Sequence, residues 1–353
     1  MGAQAGMWDK LNQWAIHPAL VVMLFAFGMG YGAAFAQTAN TPAPEGKLDK
    51  FINLDAQDTA TKLEILQHEL DAQEQKIILL QFLQTNGDRI RLREIRYPST
   101  GDSLIPAYIF TPKKASDSDR HPAIVMVHGG FHERFNVEWF PLIEMAIEKG
   151  YAVIFPEYRG SKGYGANHFR NEYGITDVAD VLSAADYIAR QKFVDPQSIS
   201  IVGESRGGMA TLLAIEKAPK RFKAAVDVVG LTDFVAYMAY KPEYRRQEVA
   251  KESPYFGGKL PDENLAAYMD VSPINHVDAI ETPLLILATT GDKIAPLTLH
   301  TGRLVDALKA RGKKFEAKIY DHAPGGHVFL HGDSPEKWDA YDRIFVWLDQ
   351  YAK

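Results

Sequence analysis

The spacing of hydrophobic positions changes at about residue 123 of the chain. Before that point, residues 89–95 alternate arginine with apolar side chains. After a Gly-Asp turn, residues 104–110 read as a returning strand, which predicts a half-exposed hairpin. After residue 123, short apolar runs alternate with stretches of helical periodicity. Buried strands separated by helices predict an α/β fold: a mostly parallel central sheet with helices on both faces. The arginines of the first strand are expected to face solvent at a sheet edge.

The individual elements can be placed approximately from this pattern. Beyond the hairpin, the predicted strands are residues 123–127, 151–155, 199–202, 224–229, 283–288 and 315–320. The predicted helices are residues 142–149, 177–190, 209–215, 301–309 and 337–351.

Upstream of the hairpin, residues 59–83 have the periodicity of one amphipathic helix. Its apolar stripe has heptad-like spacing, interrupted by Gln73, and consists of Leu63, Leu66, Leu70, Ile77 and Leu80. Two interpretations remain open for this N-terminal extension. The helix packs on the main domain, or it forms the contact of a homodimer.

The first residues carry the signature of export. An apolar stretch, residues 19–36, follows Lys10 and ends in the A-x-A-like site Ala34-Phe35-Ala36. This pattern predicts a signal peptide cleaved after Ala36 and a periplasmic or secreted protein with no stable membrane span. An uncleaved membrane anchor is the alternative, because the stretch approaches the length that spans a bilayer. The predicted organisation is residues 1–36 as signal peptide, 37–86 as linker and helix, and 87–353 as the catalytic domain.

Composition removes several classes of function. The chain has 353 residues, a net charge of −6, 24% charged and 46% hydrophobic residues, which are ordinary globular values. A mild acidic excess without a basic block argues against a nucleic-acid partner. Cysteine is absent, which excludes disulfides and thiol catalysis. No metal or organic cofactor is expected.

Gly203-Glu204-Ser205-Arg206-Gly207 matches G-x-S-x-G between a predicted strand and a predicted helix. A sharp turn between a strand and a helix exposes the serine hydroxyl at the end of a sheet, and it needs small neighbours because the backbone is closely packed there. Ser205 is therefore the candidate nucleophile.

A serine nucleophile needs a base and a carboxylate that orients the base, and in this type of turn they follow in the order Ser, Asp or Glu, His. Asp292 and His327 each come just after a predicted strand, so the sequence places both at the sheet edge that carries Ser205. His322 and His331 are competing bases. Asp321 and Asp333 are weaker carboxylate candidates.

The developing oxyanion needs main-chain donors. One is expected from the N–H of Arg206, and the other from the loop after an early strand, with Gly130 preferred over Gly129. His128 in that loop is expected to organise it and not to act as the base.

These residues together resemble the catalytic domain of the prolyl oligopeptidase family, in its acylaminoacyl-peptidase and dipeptidyl-peptidase branches. The segment from Tyr158 to Gly165, which reads YRGSKGYG, and Ser272-Pro273 strengthen the resemblance. It extends over about residues 137–352. It implies an α/β-hydrolase fold, an acyl-enzyme on Ser205, His327 as general base and then acid, and Asp292 as its orienting carboxylate.

Family peptidases usually carry an N-terminal β-propeller, whereas about fifty residues precede the first hydrolase strand here. We therefore do not expect dipeptidyl-peptidase specificity to carry over. A peptidase acting on short peptides or peptide-like amides is the first hypothesis. A carboxylesterase acting on acyl or carbohydrate esters is the second, and a non-catalytic binding protein with a broken triad is the third.

Residues 231–256 are rich in aromatic side chains and are expected to lie over the site. The resemblance places the acyl-side pocket here, and Phe234 and Tyr237 are its candidate lining. The alternative is that these aromatics only pack a cap helix.

Overall fold

The computed structural model describes residues 58–116 and 119–353. The predicted signal sequence and the linker up to residue 57 lie outside these residues. The described chain forms an eight-stranded sheet. Its strands are β1 (Ile90–Pro98), β2 (Leu104–Pro112), β3 (His121–Val127), β4 (Ala152–Pro156), β5 (Val194–Glu204), β6 (Ala225–Val228), β7 (Leu284–Thr289) and β8 (Phe315–Tyr320).

The strands lie in the order β1-β2-β4-β3-β5-β6-β7-β8. The β1–β2 and β2–β4 pairs are antiparallel, and every other neighbouring pair is parallel. The predicted hairpin is thus the antiparallel edge of a mostly parallel sheet, as an α/β-hydrolase fold requires. Arg91, Arg93 and Arg96 are exposed on the edge strand, as predicted.

Helices cover both faces of the sheet. They are α1 (Thr59–Asn86), α2 (Phe140–Glu148), α3 (Ala166–Phe169), α4 (Thr176–Ala189), α5 (Arg206–Lys217), α6 (Phe234–Tyr240), α7 (Glu243–Glu252), α8 (Leu265–Asp270), α9 (Thr301–Ala310) and α10 (Pro335–Ala352). One apolar core holds the sheet against α1, α2 and α10, and the other holds it against α4, α5 and α9. Because β3 to β8 run parallel, their carboxyl ends lie at one edge, where functional groups gather in such sheets.

The helix α1 packs against the sheet with a face other than the apolar stripe predicted from the sequence. Ile78, Leu79 and Phe82 are buried in the core, and the Phe82 ring meets the rings of Phe110 and Phe140 edge-on at 5.0 Å. The predicted stripe lies on the opposite side and is exposed. The helix therefore packs on the main domain as predicted, but through a second apolar face with a larger aromatic anchor and not through the stripe.

No helix within residues 58–116 and 119–353 has both the length and the apolar character needed to cross a bilayer.

Candidate active site

Ser205 occupies the sharp turn between β5 and α5. Its backbone has φ +57° and ψ −118°, a region that L-residues rarely adopt. Its N–H donates to the carbonyl of Val228 on the neighbouring strand at 2.8 Å, which fixes the turn against the sheet. The strained conformation presents the side chain at the carboxyl edge of the strands.

The glycines of the motif are required by close approach. A Cβ on Gly207 would lie 2.1 Å from the carbonyl oxygen of Val127, and a Cβ on Gly203 would lie 2.1 Å from the carbonyl oxygen of Gly207. Any side chain at either position would force the helix α5 away from the sheet. These two glycines therefore set how tightly the turn closes.

Ser205, His327 and Asp292 form one chain of hydrogen bonds. His327 Nε2 lies 2.7 Å from Ser205 Oγ, and His327 Nδ1 lies 2.7 Å from Asp292 Oδ2. The other carboxylate oxygen of Asp292 accepts the N–H groups of Ile294 and Ala295, each at 2.8 Å. With Asp292 accepting from Nδ1–H, the lone pair of Nε2 faces the serine hydroxyl, as general-base catalysis requires. The structure thus brings the three predicted residues together.

The competing residues have other partners. His322 is exposed, and its Nδ1 lies 2.7 Å from Asp321. His331 lines the cavity, but its two ring nitrogens lie 3.0 Å from the carboxylates of Glu204 and Glu138. Neither ring contacts Ser205. Asp333 accepts the indole N–H of Trp338 at 2.8 Å and does not contact the triad.

Arg206 contributes to the site with both backbone and side chain. Its N–H begins α5 directly after the nucleophile, beside the loop of Gly129 and Gly130. Its guanidinium donates to the carbonyl oxygens of Phe131 at 2.8 Å and Gly130 at 3.4 Å, and it pairs with Asp177 at 2.5 Å. The residue predicted to offer one oxyanion donor therefore also holds the loop that is predicted to offer the other.

The guanidinium of Arg206 is fully buried. Burial opposes its charge, but the carboxylate of Asp177 together with Tyr158 and Tyr173 outweighs burial and raises the pKa of Arg206. Three aromatic rings lie within 5.4 Å of the guanidinium carbon, those of Phe131, Tyr158 and Tyr173. The sequence indicates only the backbone role of Arg206, because nothing near it in the chain identifies Asp177 as its partner.

Tyr158 and Ser161 of the YRGS segment contact His128 in the loop that contains Gly129 and Gly130, which we call the donor loop. The ring of Tyr158 stacks on His128 with centroids 4.2 Å apart, and its hydroxyl donates to the His128 carbonyl at 2.7 Å. Ser161 Oγ lies 2.9 Å from His128 Nε2. Burial lowers the pKa of His128 to about 3, so the ring is neutral. His128 therefore organises the donor loop, as expected, and does not act as the base.

Glu157 holds the far end of this loop and was not anticipated. Its buried carboxyl accepts the N–H of Phe135 at 2.8 Å. Burial raises the pKa of Glu157 to about 8. A glutamate directly after the apolar strand β4 was the only sign of it in the sequence.

The helix α1 reaches the same loop through Arg134. The buried guanidinium donates to the carbonyl oxygen of Asp71 at 2.8 Å and to the carboxylate of Glu74 at 2.5 Å. Arg134 also lines the cavity above the nucleophile. The N-terminal helix thus braces one wall of the site.

A cavity of about 450 Å³ opens over Ser205. Its apolar lining consists of Phe131, Trp139, Leu231, Tyr237, Ile294 and Val328. Its polar side chains include Glu133, Arg134, Asn136, Glu138, Glu204 and His331. Of the two predicted pocket residues, Tyr237 lines the cavity. Phe234 does not: its ring is buried and stacks behind Tyr237 at 5.4 Å.

Among the residues that the structure describes, no group of three or more His, Asp or Glu side chains is placed to hold a metal ion.

The sequence of residues 137–353 matches the prolyl oligopeptidase family. Two curated relatives are each 29% identical. An uncharacterized peptidase, YuxL, of Bacillus subtilis aligns over 73% of this chain and 39% of its own length. The acylamino-acid-releasing enzyme of Arabidopsis thaliana aligns over 70% of this chain and 32% of its own length. The chain thus spans between about a third and two fifths of the length of these relatives.

Solved structures agree with the fold. A puromycin-hydrolyzing peptidase of Mycobacterium tuberculosis, 25% identical, superposes with a TM-score of 0.64 over 74% of this chain and 39% of its own. The acylaminoacyl peptidase of Pyrococcus horikoshii, 24% identical, superposes with a TM-score of 0.65 over 75% of this chain and 42% of its own.

Proposed function

Because this chain belongs to the prolyl oligopeptidase family, we propose that it is a serine peptidase that cleaves short peptides or peptide-like amides through an acyl-enzyme on Ser205. The observation that carries the proposal is the hydrogen-bonded chain from Ser205 through His327 to Asp292, with 2.7 Å at each contact. It lies at the mouth of a cavity of suitable size for a small acyl group.

In the first half of the reaction, Ser205 Oγ attacks the substrate carbonyl while His327 Nε2 takes the hydroxyl proton. Asp292 stabilises the imidazolium that forms. The N–H groups of Arg206 and Gly130 receive the negative charge that develops on the carbonyl oxygen. His327 then gives its proton to the leaving nitrogen, the carbon–nitrogen bond breaks, and the acyl group stays on Ser205.

In the second half, a water molecule replaces the amine. His327 takes a proton from the water, whose oxygen attacks the acyl carbon. The ester bond to Ser205 breaks as His327 returns the proton to Oγ. Water and amide are thereby converted to an acid and an amine, and the enzyme is regenerated.

The apolar lining of the cavity supports a preference for substrates with an apolar acyl side chain. Phe131 lies directly after the donor loop, and Tyr237 and Leu231 line the same cavity. An apolar pocket discriminates weakly between groups of similar size. We therefore expect broad acceptance of apolar and aromatic acyl groups.

A fluorophosphonate probe tests the catalytic proposal, because it labels only an activated serine. The wild type should be labelled, and Ser205→Ala should not. Unlabelled, folded wild type would reject every hydrolase hypothesis and favour the binding protein. Aminoacyl p-nitroanilides and matched p-nitrophenyl esters then separate the two enzyme hypotheses. Ester hydrolysis with untouched anilides would replace the peptidase by the carboxylesterase, which needs the same triad but a less demanding leaving group.

We also propose that the protein is exported, on the strength of the apolar residues 19–36 and the Ala-Phe-Ala site that ends them. N-terminal sequencing of the protein recovered from its source cells should begin at Gln37. An intact N-terminus in the membrane fraction would instead support the uncleaved anchor.

A further inference from the structure

The helix α1 carries two apolar faces, and only one of them is used within the domain. Leu63, Leu66, Leu70, Ile77 and Leu80 repeat with the alternating spacing of three and four residues of a coiled-coil seam. Each of these side chains is between 52% and 65% exposed. We call these five residues and Gln73 the seam. A contiguous apolar surface of this kind marks an interaction site.

We propose that the seam binds the seam of a second copy of this chain, with the two helices antiparallel around a two-fold axis. An antiparallel pair centred between Asp71 and Ala72 sets Leu63 of one copy opposite Leu80 of the other. The next layer joins Leu66 and Ile77, and the central layer joins Leu70 and Gln73. Every seam position of each copy then has a partner, and the same surface serves both copies, as a two-fold contact requires.

The charges that flank the seam favour this orientation. Glu69 and Lys76 are exposed and have no ion-pair partner among residues 58–116 and 119–353. In the antiparallel register, Glu69 of each copy lies beside Lys76 of the other, on the same flank of the seam. This gives two opposite-charge pairs. Gln67 of each copy lies beside Glu74 of the other.

A parallel pair is less complementary. In that orientation Glu69 of each copy would lie beside Glu74 of the other, which brings like charges together twice. Gln73 would face Gln73 in the seam, whereas the antiparallel pair places it opposite a leucine at the centre. The structure therefore favours the antiparallel pair on charge.

Size-exclusion chromatography with light scattering tests the seam on the full chain. The wild type should have the mass of a dimer. Leu70→Glu replaces two leucines that the dimer would bury, one in each copy. It should raise the dissociation constant of the dimer about 10²-fold or more. His68→Glu is the matched control, because His68 is exposed on the same helix but off the seam. A monomeric wild type, or a dimer that survives Leu70→Glu, would overturn the proposal. Normal fluorophosphonate labelling of Leu70→Glu verifies that this variant is folded.

The absence of cysteine from the chain permits a clean test of orientation. A mixture of the Leu63→Cys and Leu80→Cys variants should form an intermolecular disulfide under mild oxidation. Leu80→Cys alone should not, because the two Leu80 positions of an antiparallel pair lie about 26 Å apart along the axis, well beyond the Cα separation of about 7 Å that a disulfide permits. Rapid self-crosslinking of Leu80→Cys would show a parallel pair and reject the proposed register.

Charge reversal gives an independent measure of the same register. Glu69→Lys should weaken the antiparallel dimer roughly 3- to 10-fold. The double variant Glu69→Lys with Lys76→Glu should restore it. A tighter dimer in Glu69→Lys alone would contradict the antiparallel pairing, because only the parallel pair gains from that change.

Discussion

The buried guanidinium of Arg206 offers a way to separate the stability of this site from its chemistry. It pairs with Asp177, and it donates to the carbonyl oxygens of Phe131 and Gly130 in the donor loop. Both side chains of the ion pair are only 2% exposed. Methionine at position 206 would keep most of the aliphatic volume and remove the charge and the donors.

Two effects of Arg206→Met can be estimated from these contacts. Asp177 would remain as an unpaired buried carboxylate, which costs about 3–5 kcal/mol of the free energy of unfolding. Loss of an oxyanion donor lowers kcat about 10²- to 10³-fold. The main-chain donors remain in Arg206→Met and the loop keeps its anchors at His128 and Glu157, so we expect a smaller fall, about 10- to 10²-fold.

Asp177→Asn added to Arg206→Met distinguishes the two effects. The double variant no longer buries an uncompensated charge, so it should recover about 2 kcal/mol of the stability that the single variant lost. Its kcat should stay low, because the carbonyl oxygens of Phe131 and Gly130 still lack their donor. Urea denaturation measures the first quantity. Hydrolysis of a p-nitrophenyl ester, normalised to the fraction labelled by the fluorophosphonate, measures the second.

Two results would contradict these roles of Arg206. A kcat of Arg206→Met within about twofold of the wild type would show that the guanidinium does not hold the donor loop. Recovery of kcat together with stability in the double variant would show that the loss of activity came only from the weakened fold.

Three further predictions concern neighbouring residues. His327→Ala should lower kcat on the order of 10³-fold or more, and His322→Ala should leave it nearly unchanged; similar losses in both variants would contradict the assigned base. Gly207→Ala should yield little soluble protein, because its Cβ would lie 2.1 Å from a main-chain carbonyl oxygen of β3; a folded, labelled variant would show that α5 can move. Burial acts to lower the pKa of His331, but its hydrogen bond to Glu204 and the surrounding negative charge outweigh burial and raise it. The charged ring of His331 should therefore contribute fully to the free energy of unfolding below pH 6.5. This contribution should be lost as the pH rises through the raised pKa that His331 has in the folded protein. Urea denaturation of His331→Gln should give a free energy of unfolding that falls less than that of the wild type above pH 6.5, and parallel pH profiles would contradict this.

The sequence predicted what depends on local order along the chain. Ser205, Asp292 and His327 could be placed because each follows a strand, and parallel strands bring their carboxyl ends to one edge. The beginning of β5 was missed: the strand starts at Val194, but Asp195-Pro196-Gln197-Ser198 resembles a turn. Val194 pairs with His121 of β3, and pairing resumes only at Ile199, so these four residues form an irregularity within β5 that agrees with their turn-like sequence.

What the sequence could not predict depends on contacts between distant segments. The periodicity of α1 shows an apolar stripe but does not say which of two apolar faces meets the sheet. Phe234 and Tyr237 lie on the same short helix, and only the packing of neighbouring aromatics decides that Tyr237 alone reaches the cavity. The pairing of Arg206 with Asp177 joins residues on two helices, so no spacing rule indicates it.

The backbone of Ser205 has a consequence for the history of such chains. A non-glycine residue in this conformation costs about 1–3 kcal/mol, and glycine would adopt it without that strain. Selection for hydrolysis and selection for a stable fold therefore oppose each other at this position. In related chains that no longer need catalytic activity, replacing Ser205 by glycine would stabilise the fold. Serine at this turn is thus retained at the expense of fold stability.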